Sequence, residues 1–499
     1  MGEYTSKLDY GEHVIEGFLP RSIEEEGRFI QVKHPSGVLE IDDVEKALGD
    51  AIEQSQTPAI VPDLKTIITK HYKGGLVSII VDDHTRPNVH TRMLLPSLLK
   101  RLHAMGVEKG NVRFLIAHGT HRPAKPEECE HIFGAEVWRE YKSQVESHDC
   151  IKSVEVIGTL DDGIPVELNR TAFASEVVIG LSDLDYHYFA GMGGGPKQLI
   201  PGIAGKNTIT REHLKMFGKI GFAEHVDMGV LDHNPVYECK TRLVNFIQNA
   251  LRKKGSWLYG IVTVLNAKDR LVHISGGDIL LIHKRGEAVL GKVSRASVPR
   301  LADVVVIAAR HEGIDLYQAG KAFNSARHAV KPGGRIMVLA PCHDGWGSDE
   351  FKGLMGLATP ILQETEKKVK GLKGREWERE ASKGIDRAMT AVQEVVMRDF
   401  KIGKQKPVDL LVTLKHCGWG HLYMVQDGLG EADQAALPIA FIGKTKEDPA
   451  KRLRDWIVRL EEETKGKLTY CILEDPTLLV SVEGKDRTTK LPSLRGDLL

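Results

Sequence analysis

Short apolar runs, each followed by a polar loop, recur along the 499-residue chain. They lie at residues 76–81, 112–117, 177–181, 304–308, 335–340 and 410–414. Segments with the apolar spacing of helices, such as residues 91–102 and 321–330, lie between them. Because strands that alternate with helices build parallel sheets, this order predicts an α/β protein with two open parallel-sheet domains.

The domain boundary is expected near residue 292, because the polar segment 291–299 precedes a new series of strands and helices. Residues 1–292 would form an N-terminal domain and residues 293–499 a C-terminal domain with a polar C-terminal extension. In open parallel sheets ligands bind beyond the carboxyl ends of the strands. The polar loops fall at those ends, so they are the expected site of function.

Composition narrows the classes of function. The 68 basic and 68 acidic residues cancel, which gives no sign of a nucleic-acid partner or an anionic membrane. The six cysteines are scattered without a C-x-x-C pair, and this favours a reducing compartment over a disulfide framework. With no signal peptide and no stretch long enough to span a bilayer, we expect a cytoplasmic protein.

Residues 185–213 combine a strand-end position with a cluster of glycines beside Lys197. Clustered glycines let the backbone approach a bound group closely, and a lysine in such a loop can bind phosphate or form a covalent bond. The two standard nucleotide motifs are excluded, since Pro196 replaces the third glycine of the dinucleotide fingerprint and Asn207 replaces the P-loop hydroxyl. The segment therefore predicts a cofactor site of another kind.

Several smaller motifs allow two interpretations each. His118 and His121 have the spacing of a weak metal pair, or are loop histidines satisfied by the backbone. Residues 83–86 fit a simple turn with a salt bridge as well as a functional loop. Residues 342–343 and 416–417 pair cysteine with histidine near a Gly-Trp-Gly sequence, which suits soft metal ligands or packing.

Five separated motifs occur together in one order. They are Asp83-x-Thr85-Arg86-Pro, Gly119-Thr-His121-Arg-Pro, His187 ten residues before Lys197, His213 sixteen residues after it, and Leu316-Tyr317-Gln318-Ala-Gly-Lys321-Ala. From about residue 10 to about residue 425 the chain resembles the lactate racemase catalytic-subunit family. The resemblance implies racemisation or epimerisation of a 2-hydroxy acid.

The cofactor that the resemblance implies is a nickel-pincer nucleotide, a pyridinium-3-thioamide-5-thiocarboxylic acid mononucleotide with nickel. Lys197 matches the lysine that tethers it, and His213 matches the protein ligand of the metal. Imidazole and sulfur suit Ni(II). The other residues expected beside the cofactor are Gly193, Gly194, Gly195 and Thr85. Enzymes that make this cofactor would be partners of the chain.

The resemblance assigns the chemistry to His121 and His187 as alternating acid and base, while hydride leaves C2 for the cofactor and returns to the other face. Arg86 would clamp the substrate carboxylate, and Asp83 would orient Arg86 or a histidine. The second domain would contribute substrate contacts, which places the predicted active site in the cleft between the domains. Those contacts are Tyr317, Gln318 and Lys321.

Two departures from the family leave the substrate open. Residues 310–315 read Arg-His-Glu-Gly-Ile-Asp where relatives carry Pro-x-Asp, and residues 193–196 read Gly-Gly-Gly-Pro where they carry Ser-Gly-Gly. Lactate and a larger sugar acid are both compatible with this sequence, and a homo-oligomer is one option for assembly. Two rival functions also stand: a zinc-dependent hydrolase or lyase using His118, His121 and His187, and a non-catalytic carrier of the nickel cofactor.

Overall fold

The structure is a computed structural model that describes residues 6–465 and 468–483. The predicted C-terminal extension falls mainly on residues 484–499, outside the described residues. The strands are β1 (Lys7–Tyr10), β2 (His13–Glu16), β3 (Phe29–Val32), β4 (Val77–Asp82), β5 (Val112–Ala117), β6 (Val145–Ser147), β7 (Val154–Thr159), β8 (Pro165–Asn169), β9 (Val177–Asp183), β10 (Tyr186–His187), β11 (Gly191–Met192), β12 (Trp257–Leu265), β13 (Leu271–Gly277), β14 (Arg295–Val298), β15 (Ala302–Ala308), β16 (Val330–Leu339), β17 (Leu422–Val425), β18 (Ala440–Phe441), β19 (Tyr470–Leu473) and β20 (Leu479–Val482).

The α-helices vary from single turns to 25 residues. They are α1 (Arg21–Glu25), α2 (Val44–Glu53), α3 (Leu64–Thr66), α4 (Val89–Ala104), α5 (Pro126–Phe133), α6 (Ala135–Tyr141), α7 (Arg170–Ala174), α8 (Lys206–His213), α9 (Pro235–Lys253), α10 (Ile279–Ser294), α11 (Leu316–Ala326), α12 (Asp349–Val369), α13 (Gly374–Arg398), α14 (Lys406–Cys417), α15 (Glu431–Ala435) and α16 (Pro449–Thr464). None of these described helices has the length and apolar content needed to cross a membrane.

The chain divides into two compact units. The central unit contains Pro35–Lys215 and Leu231–Ser294, and the terminal unit contains Met216–Val230, Arg295 onwards and the N-terminal residues up to His34. The predicted boundary at residue 292 lies close to the last crossing between the units, but the N-terminal residues differ from the prediction. They belong to the terminal unit because β3 pairs in parallel with β19.

The central unit is built on a six-stranded sheet in the order β13-β12-β9-β4-β5-β6, parallel except for β13. Side chains alternate between its two faces, as strand geometry requires. Ile79 and Val81 enter the core formed with α2 to α6, whereas Ile80 enters the core formed with α9 and α10. Helices on both faces of an open, mainly parallel sheet confirm the predicted fold class.

The strand order of the central sheet contains one reversal. The chain forms β4, adds β5 and β6 on one side, and then adds β9 and β12 on the other side. The loops after β4 and β9 therefore flank the topological switch point, where α/β sheets of this type bind ligands.

The terminal unit repeats this plan in a fully parallel sheet ordered β18-β17-β16-β15-β19-β3. Strands β16, β17 and β18 lie on one side of β15, and β19 lies on the other. The switch point of this sheet is therefore flanked by the loops after β15 and β19.

The strand predicted at residues 410–414 is wrong, since these residues lie within helix α14. Val408, Leu411, Leu414 and Cys417 recur every three residues and are all buried, which is helical spacing. A short apolar run inside a buried helix cannot be told from a strand by its apolarity alone. Consequently, the histidine and cysteine at residues 416–417 end a helix and do not follow a strand.

Candidate active site

Two loops meet at the switch point of the central sheet. The loop after β4 carries Asp83, Thr85 and Arg86, and the segment after β9 carries Asp185. Arg86 Nη1 lies 2.7 Å from Asp185 Oδ2, and each side chain is 34% exposed. This ion pair joins the two loops across the switch point, although the residues are 99 positions apart.

Asp83 is the buried anchor of the first loop. Its Oδ1 accepts hydrogen bonds from the Thr85 amide at 3.1 Å and from Thr85 Oγ1 at 2.6 Å, and its Oδ2 lies 2.7 Å from His121 Nδ1. Burial works to raise the pKa of Asp83, but the contacts with His121 and Thr85 outweigh it and hold that pKa well below its ordinary value. Asp83 is therefore an anion that fixes His121, whose side chain remains 42% exposed.

Two further acidic residues end the strands beside this loop. Asp82 and Asp183 are the last residues of β4 and β9. Burial raises the pKa of Asp82 to about 6 and raises the pKa of Asp183 well above its ordinary value. Both carboxyls favour the neutral form compared with an exposed aspartate.

His187 lies in the short strand β10, within an aromatic cluster. Its ring centroid is 5.1 Å from that of Tyr188 and 4.5 Å from that of Phe189, and Nδ1 accepts a hydrogen bond from the Ala190 amide at 3.3 Å. Phe189 also contacts the ring of His213 at 5.5 Å between centroids. The two predicted site histidines of this segment thus pack on the same phenylalanine.

Lys197 lies on a single 3-10 turn, Gly195–Gln198, and is partly buried. Burial lowers the pKa of its ammonium to about 7, and the positive charge of Arg86 adds to this effect. Within residues 6–465 and 468–483, no hydrogen bond or ion pair holds its Nζ. Near neutral pH a substantial fraction of this amine is unprotonated and nucleophilic.

Packing within the chain itself explains why the three predicted positions, 193 to 195, are glycine. A Cβ at Gly193 would lie 1.6 Å from Asp185 Oδ1, and one at Gly194 would lie 2.2 Å from the Asp183 carbonyl oxygen. Gly195 has φ of +50° and would place a Cβ 2.8 Å from the His283 ring. The glycine run is therefore required for close packing against the end of β9, and a contact with a cofactor stays a prediction.

His213 is the last residue of α8 and is buried. Its Nδ1 lies 3.0 Å from the Ile209 carbonyl oxygen and 2.6 Å from Glu212 Oε2. Glu212 Oε1 lies 3.7 Å from Lys240 Nζ, and both of these side chains are 1% exposed. Burial works to raise the pKa of Glu212, but the charges of His213 and Lys240 lower it overall. A carboxylate on Nδ1 directs any metal to Nε2 and makes the imidazole a stronger ligand.

The remaining predicted residues, Tyr317, Gln318 and Lys321, lie together on helix α11 of the terminal unit. Asp315 caps this helix, because its Oδ1 accepts a hydrogen bond from the Gln318 amide at 2.7 Å. Lys321 Nζ lies 2.5 Å from Glu312 Oε1. Burial raises the pKa of Tyr317 to about 12. Their expected contacts with substrate stay predictions.

One group of side chains has the spacing of a metal site. Ligand atoms of Asp83, His84 and His118 all lie within 4.8 Å of one another. Burial lowers the pKa of His118 to about 4, although the charge of Asp83 opposes this. In the described part of the chain, His118, His121 and His187 do not form such a group, so the zinc site predicted from those three is not assembled.

Comparison with known proteins adds to this geometry. Residues 19–223 match the family described as the lactate racemase N-terminal domain. The lactate racemase of Thermoanaerobacterium thermosaccharolyticum is 29% identical over 314 residues, which are 62% of this chain and 68% of that protein. The lactate racemase of Lactiplantibacillus plantarum is 29% identical over 283 residues, which are 55% of this chain and 62% of that protein.

The chain is thus similar in sequence to these lactate racemases. The solved structure of the lactate racemase apoprotein from Thermoanaerobacterium thermosaccharolyticum covers 95% of the chain with a TM-score of 0.72 at 21% identity, and 99% of that protein is covered in turn. At this identity the structural match shows a shared fold. The family match spans every predicted site residue of the central unit, from Asp83 to His213.

The structure adds residues to the candidate site that sequence reasoning missed. Asp185, Glu212 and Lys240 contact Arg86, His213 and Glu212 respectively. The sequence did contain a signal for Glu212, because this residue directly precedes His213, the predicted metal ligand, and a histidine that binds a metal commonly donates its other N–H to a carboxylate. No signal existed for Lys240, which lies in the second turn of the amphipathic helix α9.

Proposed function

We propose that this protein is a nickel-pincer nucleotide-dependent racemase or epimerase of a 2-hydroxy acid. The observation that carries the proposal is the group of residues at and beside the switch point of the central sheet. An exposed histidine is fixed by Asp83, a second histidine lies in β10, and a lysine with a lowered pKa follows.

The residues present fit the proposed cofactor. Lys197 offers a nucleophilic amine near neutral pH, and His213 offers an imidazole with a carboxylate on Nδ1. Lys197 would carry the covalent tether and His213 would bind the nickel. When bound, the nickel-pincer nucleotide supplies a reversible acceptor for the hydrogen of C2.

The described contacts of the two proposed catalytic histidines involve Nδ1 of each ring. His121 Nδ1 donates to Asp83, which leaves Nε2 as the basic nitrogen. His187 Nδ1 accepts a hydrogen bond from the Ala190 amide, so Nε2 is the nitrogen proposed to exchange a proton with the substrate. On this proposal each histidine takes the hydroxyl proton when its ring is neutral and returns a proton when its ring is protonated.

In the proposed reaction, His121 removes the proton of the C2 hydroxyl as the hydrogen on C2 departs with its electron pair. The resulting 2-oxo acid is planar at C2, so hydrogen can return to either face. His187, which starts in the protonated form, then gives a proton to the oxygen when the hydrogen returns to the face opposite the one it left, so His187 ends neutral and His121 ends protonated. The reverse reaction exchanges the two roles, which is why a racemase needs two such groups.

Arg86 is the proposed clamp for the substrate carboxylate. A guanidinium has five N–H donors, of which Arg86 Nη1 contacts Asp185, and the proposal assigns the substrate carboxylate to the same guanidinium. On the same proposal Tyr317, Gln318 and Lys321 contact the substrate from helix α11. The enzymes that make the cofactor would deliver it to Lys197 and His213.

One observation favours a second candidate, a zinc-dependent hydrolase or lyase. The group formed by Asp83, His84 and His118 has the spacing of a metal site and three protein ligands, as catalytic zinc sites do. This candidate predicts bound zinc and an unmodified Lys197. A non-catalytic carrier would instead retain nickel without isomerising any 2-hydroxy acid.

The test is to purify the full chain after co-expression with the cofactor-making enzymes. We expect an intact mass increased by the cofactor, the adduct mapped to Lys197, nickel in the protein, and interconversion of the enantiomers of at least one 2-hydroxy acid. An unmodified Lys197 with zinc and no nickel, in cells that demonstrably make the cofactor, would exclude the proposal.

A further inference from the structure

Glu312 lies beside the predicted substrate residues, and none of the expected functions uses it. It belongs to residues 310–315, where the sequence departs from the family. We propose that Glu312 is a specificity-determining residue that selects 2-hydroxy acids with a further hydroxyl group, the polyhydroxy or aldonic class. This inference rests on the proposed function, because it assumes that helix α11 contacts substrate.

The position of Glu312 in the terminal sheet suits a ligand contact. The segment Arg310–Ile314 follows β15 at the switch point of that sheet, where open parallel sheets bind ligands. Arg310 anchors the segment to the loop after β19 through Asp475, at 2.7 Å. Glu312 is thus held beyond the carboxyl end of β15 by an ion pair that Arg310 makes, two residues away.

Glu312 neutralises the lysine that was expected to meet the substrate. Lys321 Nζ lies 2.5 Å from Glu312 Oε1, and the side chains are 30% and 10% exposed. A matched pair of this kind has no net charge, so it offers little electrostatic attraction to a second carboxylate of a substrate. It retains a donor on the lysine and acceptors on the glutamate.

The other oxygen of Glu312 lacks a donor. Among residues whose side chains the structure describes, none donates a hydrogen bond to the buried Oε2. The charge of Lys406 acts on Glu312 from a distance, and its Nζ lies 3.6 Å from Asp409 Oδ2. A buried carboxylate oxygen without a donor is costly, so this atom is the natural acceptor for a group that a ligand brings.

The charges around Oε2 decide the type of donor. An ammonium group on the ligand would be repelled by the ammonium of Lys321, and a carboxylate on the ligand would be repelled by the carboxylate of Glu312. Binding of either charged group at Oε2 is therefore disfavoured. A neutral hydroxyl meets neither penalty, and it can donate to Glu312 while accepting from Lys321. A 2-hydroxy acid with a hydroxyl at C3 or beyond fits this donor and acceptor pair.

Glycerate and lactate form a matched pair of probes, since they differ by one hydroxyl at C3. With the cofactor-loaded full chain, we expect kcat/KM for glycerate or gluconate to exceed that for lactate or malate. Glu312→Gln should lower the ratio of kcat/KM for glycerate to that for lactate about tenfold or more, because a site built to bind a hydroxyl discriminates strongly against its absence. Glu431→Gln, which changes an exposed acid at the start of α15, is the matched control and should leave the ratio unchanged.

The outcomes separate this inference from the function on which it rests. A loaded wild-type chain that isomerises lactate as well as it isomerises the hydroxylated acids overturns the role of Glu312 and leaves the proposed function standing. An equal loss on both probes in Glu312→Gln also overturns it, since that is the result of a structural role. A loaded chain that isomerises no 2-hydroxy acid contradicts the proposed function itself.

Discussion

The two switch points of the molecule contain the same local motif in two different settings. In the central unit, Asp83 accepts hydrogen bonds from the amide and hydroxyl of Thr85 and contacts His121. In the terminal unit, Asp475 accepts from the amide and hydroxyl of Thr477 at 2.7 and 2.6 Å, and His34 lies 3.6 Å away. Each is an Asp-x-Thr turn that follows a parallel strand and faces a histidine.

The settings differ in exposure and in the neighbouring arginine. The His121 side chain is 42% exposed, whereas that of His34 is 10% exposed. Arg86 pairs with Asp185, whereas Arg310 pairs directly with Asp475, the aspartate of the Asp-x-Thr turn. The comparison teaches that an Asp–His contact becomes a candidate for catalysis only where the ring can reach a substrate, and otherwise serves to hold loops together.

The largest predicted effect tests this contrast between the histidines. His121→Ala or His187→Ala should reduce isomerisation about 10²- to 10⁴-fold, the usual contribution of an acid or base, while the nickel content stays near that of the wild type. His213→Ala should lose the nickel instead. Turnover and metal analysis on the same preparations check this.

His34→Ala is the matched control in the terminal unit, and its turnover should stay near that of the wild type. If His34→Ala were as damaging to turnover as His121→Ala while the protein remained folded, the distinction between the two switch points would be wrong.

The next largest predicted effect is that of replacing Asp83 or Asp475, the aspartates of the two Asp-x-Thr turns. Asp83→Asn should lower turnover about 10- to 100-fold, as the loss of an orienting partner commonly does. Asp475→Asn should instead lower the free energy of unfolding by about 1.5–3 kcal/mol, the range for hydrogen bonds to charged groups, with a smaller effect on turnover. Urea unfolding and steady-state kinetics on both variants measure the contrast.

The stability difference should also depend on pH. Burial acts to raise the pKa of Asp475, but His34 and Thr477 lower it overall, well below its ordinary value. A carboxylate with a lowered folded pKa contributes its stability above its ordinary pKa and loses it as the pH falls through the folded value. The gap between wild type and Asp475→Asn should therefore be widest near neutral pH and narrow in acid; a gap that widens in acid would contradict this.

The smallest predicted change in stability concerns Arg86. Because the Arg86 pair is about one-third exposed, Arg86→Met should cost only about 0–1 kcal/mol of stability. It should also raise the pKa of Lys197 above about 7, since the charge of Arg86 helps to lower it. A short pulse of an amine-acylating reagent on the apoprotein, followed by peptide mass spectrometry across a pH series, gives the midpoint.

Labelling of Lys197 should rise as the pH passes about 7 in the wild type and at a higher pH in Arg86→Met. Lys100, which is 77% exposed, serves as the reference for reagent activity. An unchanged midpoint in the variant would show that Arg86 does not act on Lys197.

Sequence alone predicted the fold class and most of the strands that carry the site. The apolar runs at residues 76–81, 112–117 and 177–181 correspond to β4, β5 and β9, because each is bounded by turn-forming residues. The run at residues 410–414 was misassigned because a buried helix is as apolar as a buried strand. The order of site motifs was also readable, since it is a property of residue type and spacing.

Tertiary structure decided what those motifs contact. The order of strands brings Arg86 to Asp185, 99 residues away, and carries the N-terminal strand β3 into the terminal sheet beside β19. It also pairs Lys321 with Glu312 and surrounds His213 with buried charges. Residue type and local spacing fix which groups are present, but burial and long-range strand pairing fix their partners, and the partners set the charge of each group.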